Sequence, residues 1–139
     1  MSELWEVLTR HLPQFASGLW ITIQVVLVSF VIAMVVGTLV ASFRVAPLKP
    51  LQWIGGFYVE TFRNIPLLVL MILSFAGLRR AGLDINRWVA GTGSLGLYTA
   101  AYVAEAIRSG VFAVGKGQIE ASLSLGLTYR ETLRKIVLP

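Results

Sequence analysis

Three apolar stretches, separated by short charged ones, set the pattern of the chain. Between Arg10 and Arg44 no Lys, Arg, Asp or Glu occurs, and 19–43 within that gap reads LWITIQVVLVSFVIAMVVGTLVASF. About 20 apolar residues cross a bilayer at ~1.5 Å rise each, so the pattern predicts a span over 19–43 with length to spare for tilt. Glu3 and Glu6 stand where a cleaved signal peptide carries basic residues. The run also exceeds the roughly 7–15 residues of a signal core, so it reads as a retained helix.

The second apolar run, 65–78, is short. Extending it back to Trp53 gives it length but encloses Glu60 and Arg63, which lie three apart on a helix and can pair. A charge at mid-bilayer costs about 2.5–3.5 kcal/mol, which places both at the interface. Asn64 followed by Pro66 reads as a helix start, with Asn as N-cap and Pro in the first turn. The expectation is an interfacial elbow over 51–62 feeding a span over about 60–78. The third run, 88–104, is uncharged, opens on Trp88 as an interfacial anchor and ends at Glu105 and Arg108; it predicts a span over 88–107. Beyond it, 108–139 turns polar and reads as a loop carrying short helices.

Composition agrees with this pattern. Of the 139 residues 56% are hydrophobic and 14% charged, with a mean hydropathy of +0.76. Soluble domains average roughly 45–50% apolar with glycine included and about 25% charged, so a soluble globule and a disordered tail are both excluded. The fold class expected is an all-α integral membrane protein with three transmembrane helices and a polar C-terminal segment. No cysteine is present, which excludes disulfides and cysteine-ligated metal centres, and His11 is the single histidine. No metal or cofactor is expected.

The formal charge of +5 would point to nucleic acid in a polar chain, but here the 12 basic residues sit between apolar runs. Basic membrane loops account for them better than a nucleic-acid partner. Three spans place Arg10, Arg79, Arg80 and Arg87 on one side. Arg44, Lys49, Arg63, Arg108, Lys116, Arg130, Arg134 and Lys135 fall on the other. The positive-inside rule makes the second group cytoplasmic and 1–18 an external N-terminal segment.

Small residues recur every fourth position at Ser29, Ala33, Gly37 and Ala41, and again at Gly96, Ala100 and Ala104. Such ridges let membrane helices approach closely, and packing within a bundle is their plain account. Gly91-Thr92-Gly93-Ser94-Leu95-Gly96 matches G-x-G-x-x-G, but no strand precedes it and Lys116 occupies the place of the acidic residue a dinucleotide site needs. Walker, H-E-x-x-H and G-x-S-x-G motifs are absent from the sequence, so it carries no ATPase and no evident hydrolase.

The segment 118–139 reads QIEASLSLGLTYRETLRKIVLP. Ile119, Leu123 and Leu127 line one face, Glu120 suits a first helical turn, and Gly126 suits a C-cap. Thr128 with Glu131 three residues later forms a capping-box pattern. Two short helices meeting at a glycine, on the basic side, make a docking surface; an amphipathic helix lying on the membrane is the other account.

These residues resemble the permease subunits of bacterial ABC importers. Their signature is E-A-A, three residues, G, nine residues, I-x-L-P. Here Glu120-Ala121-Ser122, Gly126 and Ile136-Val137-Leu138-Pro139 stand in that register, with serine for the second alanine. Upstream, Phe62-Arg63-Asn64-Ile65-Pro66-Leu67, the stretch from Ala104 through Glu105-Ala106-Ile107-Arg108-Ser109 to Gly110, and Gly117-Gln118 are similar to the polar amino-acid branch: glutamate, glutamine, histidine and arginine permeases.

The resemblance runs from about residue 19 to the last and implies a type I importer fold in the bacterial plasma (inner) membrane. It implies that 119–126 is a coupling helix seated in a cleft of a separate ATP-binding subunit. Glu120 would anchor it, Ala121 and Ser122 permit close approach, and Gly126 set the turn. A second permease subunit, identical or paralogous, an extracytoplasmic solute-binding protein and an amino-acid substrate, glutamate-like favoured, are the implied partners. ATP hydrolysis would belong to the partner subunit, so no enzyme activity is expected here. Family members carry about two more spans after I-x-L-P, so the chain reads as part of a longer permease. A non-transporting membrane scaffold with a partner-binding tail is the alternative. An intramembrane enzyme is disfavoured, since the histidine lies outside the spans and no paired carboxylates share a helix face.

Polar groups within spans are candidates for a substrate pathway. They are Arg63, suited to a substrate carboxylate, with Asn64, Tyr98, Thr99, Tyr102 and Glu105. Gln24 is expected to bond a neighbouring helix. Glu105 serves equally as an i,i+3 partner of Arg108, and Tyr98 and Tyr102 serve equally as interhelical packing.

Overall fold

The computed structural model describes residues 2–137. The chain order is α1 (Ser2–Val45), α2 (Lys49–Asn64), α3 (Leu67–Arg80), α4 (Arg87–Ala113), α5 (Lys116–Ser124), α6 (Tyr129–Thr132) and a π-turn over Leu133–Val137, with no strand among the described residues. Residues 2–18, expected as a separate segment, continue the first helix. Pro13 stands inside it and forfeits one backbone bond without stopping it. At 44 residues α1 is about 66 Å long, roughly twice the hydrocarbon thickness of a bilayer.

The core is a parallel pair of helices, α1 and α4, and the rows of small residues build it. Ser29 Oγ donates to the Thr92 carbonyl at 3.0 Å. A Cβ on Gly96 would meet Ile32 Cγ2 at 2.7 Å, and one on Gly37 would meet Val103 Cβ at 2.7 Å and the Ala100 carbonyl at 2.9 Å. Ala33, Ala41, Ala100 and Ala104 are buried. Residue numbers rise together along both helices, so the two run in the same direction. The G-x-G-x-x-G match lies wholly inside α4 and forms no phosphate loop.

Helices α2 and α3 carry the chain back between them. On α2, a Cβ at Gly55 would meet Arg44 Cγ at 2.7 Å, and Tyr58 donates to the Leu97 carbonyl at 2.7 Å. Val59 packs with Val40, Ala41, Ala101 and Ala104. Then the path bends by 100°. Pro66 disfavours helical backbone at the residue before it, and Ile65 is extended (φ −92°, ψ 129°). Asn64 is therefore not the cap of the following helix, as expected from sequence, but the last residue of α2. Its amide donates to the Glu60 carbonyl at 2.7 Å. Pro66 itself holds the N-cap position of α3.

Beyond the bend α3 packs on the first turns of α4, enclosing a mostly apolar cavity of about 280 Å³ lined by Leu70, Ser74 and Leu78 on one side and by Val89, Gly93 and Leu97 on the other. Asn86 caps α4, its Oδ1 accepting from the Val89 N–H at 2.8 Å. The helix continues past its expected end at 107 to Ala113.

By length and composition α1 can cross a membrane over Thr9–Val45, and α2 with α3 qualifies as one broken span. At 27 residues α4 is long enough, but glycine and hydroxyl side chains make it less apolar. Large apolar side chains remain exposed along α1, among them Trp20, Leu27, Phe30, Val35 and Leu39. A contiguous surface of this kind belongs against lipid.

Candidate functional site

Two features stand out, a charged recess at the bend and a helical hairpin after α4. The recess, about 370 Å³, is lined by Arg44 of α1, by Val59, Glu60, Arg63 and Asn64 of α2, and by Tyr102 and Glu105 of α4. Four of the candidate pathway residues thus meet: Arg63, Asn64, Tyr102 and Glu105. Tyr98 joins them indirectly, its hydroxyl 3.0 Å from that of Tyr102 and the two rings 5.2 Å apart on one helix. Thr99 is half-buried on α4 and does not line the recess. Gln24 makes no hydrogen bond to a neighbouring helix among the described residues.

Glu105 is held from both sides. One carboxylate oxygen accepts from Arg44 Nη1, the other from Arg108 Nη2 at 2.5 Å and Nε at 3.1 Å. The expected i,i+3 pair is present, and a pair across helices is added to it. Arg63 lies over the Tyr102 ring, 5.3 Å from its centroid. It does not pair with Glu60, contrary to expectation, because it turns to Tyr102 on α4 instead. Arg44 and Glu60 are the charged residues of the recess that sequence reasoning missed as site residues. Arg44 is visible as the charge closing the first apolar run, but its partner lies 61 residues away.

The hairpin begins two residues after α4. Gly115 takes the N-cap position of α5 in extended backbone, so the helix starts at Lys116 and Glu120 falls in its second turn, not its first. The helix ends in a Schellman turn: the Leu127 N–H donates to the Ser122 carbonyl at 3.2 Å and the Gly126 N–H to that of Leu123 at 3.0 Å. Gly126 adopts φ +83°, a left-handed conformation that glycine takes at little cost.

Thr128 then starts α6 with the expected capping box. Its Oγ1 accepts from the Glu131 N–H at 3.3 Å, and its own N–H donates to Glu131 Oε2 at 3.0 Å. That backbone N–H and the Thr128 hydroxyl, with Lys135 adding to them, hold the Glu131 carboxyl below the usual carboxylate range.

Ser122 does not present itself for close approach by a partner. It is buried, and its Oγ lies 2.8 Å from Thr132 Oγ1, also buried, and 2.7 Å from the Ile119 carbonyl it donates to. Glu120 and Ala121 are exposed, as are Leu123, Leu125 and Tyr129. The face of Ile119, Leu123 and Leu127 is only partly covered. After Thr132 the backbone widens into the π-turn over Leu133–Val137. Ile136 and Val137 lie in it; Leu138 and Pro139 of the I-x-L-P motif lie outside the described residues.

A broken second span, a charged recess at the break and a helical hairpin beyond the third long helix are features of a membrane permease. The profile of the family described as binding-protein-dependent transport system inner membrane component matches residues 33–139, and the chain belongs to that family. It is 41% identical over 133 residues to the probable glutamine ABC transporter permease protein GlnM of Bacillus subtilis (strain 168), covering 96% of this chain and 62% of that protein. It is 40% identical over 151 residues to the glutamate transport system permease protein GluC of Corynebacterium efficiens, covering all of this chain and 65% of that protein. A crystal structure of an amino acid ABC transporter with histidines superposes with a TM-score of 0.88 at 34% identity, covering 96% of this chain and 62% of that one. The chain spans less than two thirds of the length of these relatives.

Proposed function

We propose that this chain forms the pathway-lining and coupling part of the permease subunit of an ATP-binding-cassette importer for a polar amino acid, glutamate-like substrates favoured. The observation that carries the reading is the continuity of α4. One helix, capped at Asn86, bears Tyr102 and Glu105 at the recess and ends at Ala113, two residues before the hairpin. Displacement of the hairpin is thereby passed to the recess along a single rigid element.

On this reading the hairpin is cytoplasmic and seats in a cleft of a separate ATP-binding subunit, with Glu120 and Ala121 at the contact and Gly126 setting the turn. ATP is hydrolysed by that partner. A second permease subunit, identical or paralogous, closes the pathway, and an extracytoplasmic solute-binding protein delivers the amino acid to the face bearing Arg79, Arg80 and Arg87. Arg63, Asn64, Tyr102 and Glu105 line the route, with Tyr98 and Thr99 flanking it. The glutamine and glutamate permeases among the relatives support the substrate class. The distribution of basic residues supports an external N-terminus.

The test is co-purification of the ATP-binding subunit and amino-acid-stimulated ATP hydrolysis in reconstituted vesicles, comparing the native hairpin with Glu120→Lys and Gly126→Pro. Both substitutions are expected to abolish recruitment. Retention of the ATPase by both overturns the coupling reading and favours a scaffold.

A further inference from the structure

We infer that the recess reads the zwitterionic head group common to all α-amino acids, not their side chains, with Glu60 holding the ammonium and Arg63 the carboxylate. The inference rests on the importer reading above. Glu105 is unavailable to a ligand, since Arg44 takes one of its oxygens and Arg108 the other. Of the two arginines only Arg44 lines the recess, where Glu105 offsets its charge; Arg108 lies outside the lining. Glu60 and Arg63 remain. Both line the recess, and neither forms an ion pair with any described residue.

Their spacing suits a dipolar guest. Residues three apart on a helix have Cβ atoms roughly 5–6 Å apart, so two side chains of opposite charge can close on adjacent ammonium and carboxylate groups. Arg63 is also preorganised. Tyr102 occupies the face of its guanidinium, which leaves the N–H edge for the two-pronged geometry a carboxylate accepts. Asn64, whose Nδ2 is engaged by the Glu60 carbonyl, keeps its Oδ1 as a second acceptor for the ammonium. Among the lining residues Arg44 and Glu105 cancel, so beyond Glu60 and Arg63 the lining holds no net charge with which to separate acidic from basic side chains. Selection among amino acids lies elsewhere in the assembly.

Binding to the assembled transporter in detergent, without the external binding protein, tests this. Glycine, the bare head group, is measured by calorimetry and by competition against labelled glutamate and labelled arginine. The three are expected to bind within about threefold of one another. N-acetylglycine and methylamine, each lacking one charge of the head group, are expected to bind at least about tenfold more weakly. Glu60→Gln and Arg63→Gln are each expected to weaken all three amino acids alike, by about tenfold. A variant that shifts glutamate against arginine overturns the assignment, as does undiminished binding of either analogue by the unaltered protein. Failure of the vesicle-reconstituted transporter to take up any amino acid fails the importer reading, and the inference falls with it. Uptake without glycine binding at millimolar concentration overturns the head-group assignment alone.

Discussion

Arg44, in the last turn of α1, and Glu105, on α4, form an ion pair that closes the foot of the parallel helix pair. The two side chains are 19% and 22% exposed, so the pair sits below the surface and is only partly screened. Removing Glu105 leaves Arg44 at the recess without its partner, whereas removing Arg44 leaves Glu105 to Arg108 alone. Arg44→Ala and Glu105→Ala are therefore expected to be non-additive, with a coupling energy of about 0.5–3 kcal/mol. Thermal unfolding of the two single variants and the double variant in detergent measures it.

The contact of α1 with α4 depends on missing side chains. Gly37→Ala puts a methyl within 2.7 Å of Val103 Cβ and 2.9 Å of the Ala100 carbonyl, and a backbone carbonyl yields little. The expected cost is about 1–3 kcal/mol from overpacking. Gly18 and Gly93 have nothing within 4 Å of a Cβ. Alanine at either is expected to be neutral or to stabilise by up to about 1 kcal/mol through helix propensity. Melting temperatures of the three variants separate the cases.

Ser122 and Thr132 bind the two arms of the hairpin across its turn. Ser122→Ala leaves a buried hydroxyl on Thr132 without its partner and is expected to cost about 1–3 kcal/mol. Adding Thr132→Val removes the orphaned group, so the double variant recovers part of the loss. Hydrogen exchange of the amides in α5 and α6 reads the difference.

The capping box gives the hairpin a pH dependence with a definite sign. Glu131 accepts more strongly from Thr128 when ionised, and its folded value lies below the ordinary carboxylate value. Its contribution is present above that ordinary value and is lost as pH falls through the lowered folded one. Hairpin amide protection is expected to drop over that acidic window and to stay level across neutral pH. Glu131→Gln is expected to flatten the profile, and Thr128→Ala to cost about 1 kcal/mol at neutral pH.

Much of this arrangement could be read from local spacing. The rows through Gly37 and Gly96 are legible because a four-residue period of small side chains has one physical use in a membrane helix, close approach. The capping box at Thr128 and the stop at Gly126 are legible because each depends on groups within five residues. Asn64 marks the limit of such reasoning. Pro66 announces a break, but its steric demand falls on Ile65, which leaves Asn64 behind the break instead of ahead of it. Ser122 passes for a surface residue because its partner, Thr132, comes into reach only after the chain has turned. Glu60 looks neutralised by Arg63 until the Tyr102 ring, supplied by another helix, draws the arginine away. The pairing of Arg44 with Glu105 had no local signal, because it is made by two helices brought together by other residues.

The bend between α2 and α3 falls where the backbone ladder is already interrupted. Pro66 has no N–H to offer the carbonyl of Phe62, four residues back, so the helical ladder lapses where the chain changes direction. A peptide oxygen left over in hydrocarbon is expensive, so a break of this kind is tolerated where protein or a polar cavity surrounds it. The corner is thus a seam without a rung, and the two arms of the broken span can point 100° apart without either ladder being torn.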